Sequence, residues 1–182
     1  MTRAADLART GGKGTIWVPA GAMYANTTNG CSALTQVELT NGPELKCLDF
    51  AADADDFAQF TVAFPKSWNE GTVTFQAFWT VTGTNTGTVA WALQAVGFAD
   101  NADQNAGAGF GAIVVATAKA FSGNTQDMTV SAESGAVTIR GAAADTLTYF
   151  QIFRDISADS QTGVARLLGV KIFFTTDETS DS

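Results

Sequence analysis

The run Thr72-Val73-Thr74-Phe75-Gln76-Ala77-Phe78-Trp79-Thr80-Val81 decides how this chain folds. Val73, Phe75, Ala77, Trp79 and Val81 take every second position, with Thr72, Thr74, Gln76 and Thr80 between them. A period of two sends the first set to one side of a β-strand and the second set to the other. Phe78 is the exception, a large ring on the polar side. The same alternation recurs outward from this run. Phe60, Val62 and Phe64 oppose Gln59, Thr61 and Ala63, while Val89, Trp91, Leu93 and Ala95 share one phase and Leu168, Val170, Ile172 and Phe174 another. Leu147–Arg154 is a further strand, with Phe150 and Ile152 expected inside; Leu147, Tyr149 and Phe153 are the competing claimants to its core face. The pattern predicts a core built on Phe60, Val62, Phe75, Trp79, Trp91, Leu93, Phe150, Ile152, Val170 and Ile172.

Turn chemistry supplies the joints. Asn41-Gly42-Pro43 between Gln36–Leu39 and Leu45–Phe50 reads as a hairpin. Pro65 ends the strand before it, because proline has no N–H to give a ladder. Gly83–Gly87 is expected to close residues 72–98 into a long antiparallel hairpin with Trp79 beside Trp91. The phase shift near Val96–Phe98 hints at a bulge or a strand end. Glu133-Ser134-Gly135 is expected to pair Met128–Ala132 with Val137–Arg140. Strand signals recur every ~8–12 residues with no long amphipathic helix, the mark of a sandwich or barrel. The expected fold is all-β: an antiparallel β-sandwich of jelly-roll type over residues 15–176. Residues 1–14, with Gly11, Gly12 and Gly14, are read as a short N-terminal arm, and residues 177–182 as a polar tail.

Composition narrows the functions. The chain has 182 residues, 18 acids against 10 bases and a net charge of -8. That field repels phosphate backbones and anionic bilayers, so neither nucleic acid nor a membrane is an expected partner. Apolar runs are strand-sized, too short for a spanning helix. No apolar stretch follows Met1, so synthesis in a reducing cytoplasm is expected, with Cys31 and Cys47 as free thiols. There is no histidine, which removes Ser-His-Asp and Cys-His catalysis and histidine-bound zinc. The glycine clusters lack the lysine and the strand-to-helix setting of a phosphate cradle, so no cofactor is expected.

Carboxylates are the remaining candidates for chemistry. Asp53, Asp55 and Asp56 crowd one loop, Asp155 and Asp159 another, and Asp100 and Asp103 a third. A glycosidase needs two carboxylates across a cleft, and calcium needs a fuller set of oxygen ligands. Solvated acidic loops are the simpler reading, so no catalytic or metal residue is assigned and the chain is not expected to be an enzyme. Arg154 and Arg166, at facing strand ends, are expected to pair with Asp155 or Asp159, or across subunits. Trp17, Tyr24 and Trp68 lie at element ends or in loops, where a ring would stack on a sugar or a partner. Phe78 and Phe173 lie opposite the core phase of their strands, as if covering a second face. These five are the candidate partner- or glycan-binding residues.

The runs Val73–Trp79, the Trp91 strand, Phe150-Gln151-Ile152-Phe153-Arg154-Asp155 and Arg166-Leu167-Leu168-Gly169-Val170 resemble a family of small virion proteins of tailed phages from marine and alphaproteobacterial hosts. The resemblance covers roughly residues 55–176. It implies a trimeric jelly roll made in the host cytoplasm and carried in the virion as a capsid decoration, head-fibre or tail-associated module. Its implied partners are its own copies and other virion proteins. The loop Ile156–Thr162 departs from the family in lacking a leucine. The alternative expectation is a carbohydrate-binding module for a host surface glycan.

Overall fold

Strand alternation survives into the computed structural model, which describes residues 11–105 and 109–177. In chain order the strands are β1 (Lys13–Pro19), β2 (Tyr24–Ala25), β3 (Thr35–Val37), β4 (Leu45–Phe50), β5 (Phe57–Ala63), β6 (Thr74–Val81) and β7 (Thr88–Val89). They continue as β8 (Trp91–Phe98), β9 (Val114–Val115), β10 (Lys119–Ala120), β11 (Thr129–Val130), β12 (Ile139–Arg140), β13 (Leu147–Arg154) and β14 (Ala165–Thr175). Helical structure among the described residues is two three-residue 3-10 turns, Ala20–Ala22 and Ile156–Ala158. Among the described residues no helix is long and apolar enough to cross a membrane.

The strands form a jelly-roll β-sandwich. The first sheet runs β11-β6-β14-β4-β3, with β1 also paired to β14; the second runs β12-β8-β13-β5-β2, with β9 also on β8. Pairing is antiparallel except where β12 lies parallel to β8. Each sheet turns one face inward, and all ten expected core residues are buried there. Phe150 and Ile152, not Tyr149, take the core face of β13. Phe60 and Phe150 stack at 5.1 Å on paired strands, and Phe50 meets Trp91 edge-on at 5.0 Å across the two sheets. Burying each such ring contributes roughly 1.5–3 kcal/mol.

Four expectations change. Residues 72–98 are not a hairpin: β6 belongs to the first sheet and β8 to the second. Trp79 and Trp91 both face the core, from opposite sheets. Alternation sets which side chains point inward, and it is equally well met when a connection crosses the sandwich. Residues 128–140 do not pair with each other either: β11 joins β6 and β12 joins β8. Of the two readings for Val96–Phe98 the bulge falls away and the strand end holds, since β8 is continuous and stops at Phe98; a register shift lies instead between Leu167 and Gly169 of β14. Finally, the described part of the arm is sheet. Gly12 exchanges hydrogen bonds with Thr176, and β1 begins at Lys13 and pairs along β14 from Thr175 back to Gly169. Glycine is needed here for close approach rather than freedom, since a Cβ at Gly14 would stand 2.3 Å from the Phe174 ring. Residues 1–10 of the expected arm and 178–182 of the expected tail lie outside the described residues.

The ends of the sandwich are sealed by a buried arginine. Arg154 is 0% exposed; its Nε donates to Asp159 Oδ2 at 2.5 Å and its Nη2 to Asp159 Oδ1 at 3.0 Å. Its Nη1 donates to Ala51 O and Gly163 O, and Nη2 also to Gln161 O. This is the Asp159 pairing the sequence suggested. Arg166 pairs with Asp49 instead, at 2.9 Å. Cys31 and Cys47 are buried and free. Burial, reinforced by nearby Asp56 and Asp49, pushes the Cys31 thiol up to about 12; burial and Asp49 push Cys47 up to about 11.

Candidate functional site

With both inner faces committed to the core, ligand chemistry falls to the outer ones, and the two differ. On the second sheet the outward phase reads Gln59 and Thr61 on β5, Tyr149 and Gln151 on β13, and Gln94, Val96 and Phe98 on β8. Register turns these into rows across the strands. Gln151 stands opposite Gln59 on one side and Gln94 on the other, and Tyr24 of β2 stands opposite Gln59. At a strand spacing of about 4.8 Å, the row Tyr24-Gln59-Gln151-Gln94 spans roughly 14 Å.

The row is only partly satisfied by itself. Gln94 Nε2 donates to Gln151 Oε1 at 2.5 Å, and Tyr24 Oη donates to Gln59 Oε1 at 3.5 Å. The Nε2 groups of Gln59 and Gln151 have no partner among the described residues. Desolvation, and then the neighbouring Tyr149, raise the Tyr24 phenol above its ordinary 10.0, so its hydroxyl stays protonated at neutral pH.

Beside the row, Tyr149 meets Phe98 edge-on at 6.0 Å. Past β8, Gln104, Asn105, Gly109 and Phe110 stand beside these rings and line two adjoining open cavities. One, of about 210 Å³, is lined by Gln59, Tyr149, Phe98, Phe110 and Gln104 among others. The other, of about 430 Å³, is lined by Val96, Phe98, Gln104, Asn105 and Arg140 among others. Together they form a groove whose rings are aromatic, whose polar side chains are amides and the Tyr149 phenol, and whose lining among the described residues holds one charge, Arg140. Mixed apolar surface with a few convergent polar groups is the usual make-up of a small-ligand site.

The outer face of the first sheet is different. Trp17, 47% exposed, sets its edge against Phe78 at 5.1 Å, and Lys171 Nζ lies 5.2 Å from the Phe78 ring centroid. Lys13 lies 4.7 Å over Phe173 and also pairs with Glu133. A shallow apolar depression of about 340 Å³ remains between Trp17, Phe78, Met128 and Leu168.

The five sequence candidates therefore separate. Tyr24 joins the glutamine row through Gln59, beside the groove and outside the lining of its two cavities. Trp17, Phe78 and Phe173 gather on the opposite face, and the rings expected to be covered by neighbouring subunits already touch side chains of their own chain. Trp68 is corrected: it is 4% exposed and stacked on Phe64 at 4.2 Å, an end plug of the core with no free ring face for a ligand. Gln59, Gln94, Gln151, Tyr149, Phe98 and Arg140 were not singled out from sequence. Their signal was a glutamine at the centre of otherwise apolar strands, where it has nothing in the core to bond. The acidic loops form no site: Asp55 and Asp56 accept from the backbone of Ile156 and Ala51, and no cluster of three metal-ligating side chains occurs among the described residues.

No protein-family model matches the chain, and no curated protein matches it in sequence. Among solved structures it is similar to the CBM36-1 domain of a multidomain xylanase from the hindgut metagenome of Trinervitermes trinervoides, at 12% identity and TM-score 0.45, over 87% of this chain and 96% of that one. It is also similar to Caldicellulosiruptor saccharolyticus CBM27-1, solved with mannohexaose, at 14% identity and TM-score 0.39, over 87% and 96% of the two chains. A third is CBM28, a module specific for non-crystalline cellulose, at 16% identity and TM-score 0.40, over 86% and 85%. The likeness is one of fold. The virion reading is corrected at this point: these similar structures are carbohydrate-binding modules and not capsid, head-fibre or tail components. Inward-facing alternation is common to any β-sandwich, which is why strand patterns alone misdirected it. Virion partners and a homotrimer gain no support from these likenesses.

Proposed function

We propose that this domain is a non-catalytic carbohydrate-binding module that holds a glycan chain in the groove on the outer face of its second sheet. The observation that carries the reading is the row Tyr24-Gln59-Gln151-Gln94, set in register across four strands and flanked by Tyr149 and Phe98. A sugar hydroxyl both donates and accepts a hydrogen bond, and a primary amide offers both on one rigid plane. The C–H faces of a sugar ring are apolar and pack on aromatic rings. Neutral amides also lose less on desolvation than ionised groups would. Backbone pairing fixes the rungs before any ligand arrives, which keeps the ordering cost of binding low.

Among the described residues no aspartate or glutamate lines either cavity. Glycoside hydrolysis normally uses a facing carboxylate pair, so the groove as built favours holding a chain over cutting it. The test is affinity electrophoresis against a panel of soluble polysaccharides, with Gln151→Ala and Tyr149→Ala as controls. Retardation by at least one glycan, abolished in both variants while thermal unfolding is preserved, is the expected result. An intact domain that no glycan retards, or variants that bind like the parent, would refute the proposal.

A further inference from the structure

We infer that the Arg140 end of the groove is a subsite for a uronate, so that the ligand is a largely neutral glycan carrying scattered carboxylate-bearing sugars. This rests on the reading of the groove as a carbohydrate site. Arg140 ends β12 in parallel register with Val96, one outward position along β8 from Gln94 of the glutamine row, and lines the cavity that Phe98 also lines. Its side chain is exposed, and its Nη1 donates to Gly109 O at 2.9 Å. That one bond steadies the guanidinium and leaves Nε and Nη2 without a partner among the described residues. These two are the edge of the fork that grips a carboxylate through two parallel hydrogen bonds.

The other described arginines set the contrast. Arg154 and Arg166 are each paired with a carboxylate of the chain, Asp159 and Asp49. Arg140 has no such ion pair among the described residues, although Asp100 and Asp103 sit on the segment that covers the groove. Those two instead accept from the Asn101 amide and from the Asn105 backbone N–H. Among the described residues Arg140 is also the one charged side chain lining the two cavities, and its cavity of about 430 Å³ brings Gln104, Asn105 and Phe98 to the same place. A carboxylate on the fork, hydroxyls on the amides and a ring face against Phe98 is the set of contacts a sugar acid offers. The chain's net charge of -8 argues for scattered rather than continuous uronates, because a polyanion meets long-range repulsion that one carboxylate on a neutral chain largely escapes.

The experiment uses isothermal titration of the whole chain with xylo- and galacto-oligosaccharides bearing one glucuronate, each beside its carboxyl-reduced twin. A polyuronate and a singly sulfated oligosaccharide complete the set. We expect at least one glucuronate form to bind about tenfold tighter than its reduced twin, with the advantage falling as salt rises. Arg140→Gln should erase the advantage, so that the glucuronate form and its reduced twin bind that variant equally; Arg140→Lys, which keeps charge but not the fork, should retain only part of it. Equal affinity for acid and reduced forms, or an advantage that survives in Arg140→Gln, overturns the subsite and leaves the groove reading standing. Tighter Arg140-dependent binding of the sulfated or polyuronate ligand overturns the assignment to a scattered uronate. Failure to bind any of these or any neutral glycan overturns the groove reading itself, and the subsite with it.

Discussion

Two parts of one strand, β13, use hydrogen-bonding groups in opposite ways. At its end, Arg154 is wholly buried and uses its guanidinium donors on Asp159 and on the carbonyls of Ala51, Gln161 and Gly163. Three residues earlier, Gln151 lies on the outer phase of the strand at 8% exposure, accepts one bond from Gln94 and has no partner for its amide N–H groups among the described residues. A buried polar group left unpaired is costly, so the closed end must be complete. An outward group has water as its alternative partner, and a ligand can take water's place. The difference teaches where to look for function in a chain without catalytic signatures: not at its strongest interactions, which stabilise the fold, but at polar groups arrayed in register and left unfinished.

The largest expected effect breaks the closed end. Arg154→Ala strands the buried Asp159 carboxylate and should cost about 3–5 kcal/mol in denaturant unfolding. Under conditions where the variant is still folded, its glycan affinity should match the parent. A selective loss of affinity would mean that the two regions are not separate. Next comes the open end. Gln151→Ala and Tyr149→Ala should each weaken glycan binding by about tenfold, or ~1.4 kcal/mol of binding free energy, as read by titration. Their unfolding midpoints should move far less than that of Arg154→Ala.

A smaller effect sharpens the contrast between the two outer faces. Trp17→Ala removes the edge-on contact with Phe78 and should cost roughly 1 kcal/mol of stability without changing glycan affinity. Lost affinity in that variant would place the ligand on the first sheet instead. The smallest effect is in pH. The Cys31 and Cys47 thiols ionise near 9.0 when unfolded but only at about 12 and about 11 when folded. The folded state thus holds more protons between these values. Their contribution to stability is complete below pH 9 and declines as pH rises through 11 and 12. Tyr24 is likewise raised above 10.0, so glycan affinity should stay flat to that pH while stability has begun to fall. Parallel pH profiles of unfolding and binding would check this; affinity that drops first would place a different titrating group in the groove.

What the residues determined unaided is local and periodic. Alternation in Thr72–Val81, Phe57–Phe64 and Leu167–Thr176 named strands and their inward side chains, because the pleat repeats every two residues whatever the strand pairs with. The absence of histidine removed whole classes of chemistry before any geometry was known. Pairing was beyond that reach. β6 and β8 are near neighbours in sequence yet lie in different sheets, and Gly14 belongs to an edge strand, because partner choice depends on which surfaces remain to be covered once the sandwich closes. The candidate site follows the same rule. Gln59, Gln94 and Gln151 are 35 and 57 residues apart in the chain, and each alone is an ordinary polar position on the outer phase of its strand. Register across β5, β13 and β8 makes them one row, and Gln104, Gly109 and Phe110 from beyond β8 join Gln59 and Tyr149 around the cavity at its side; tertiary structure alone decides both.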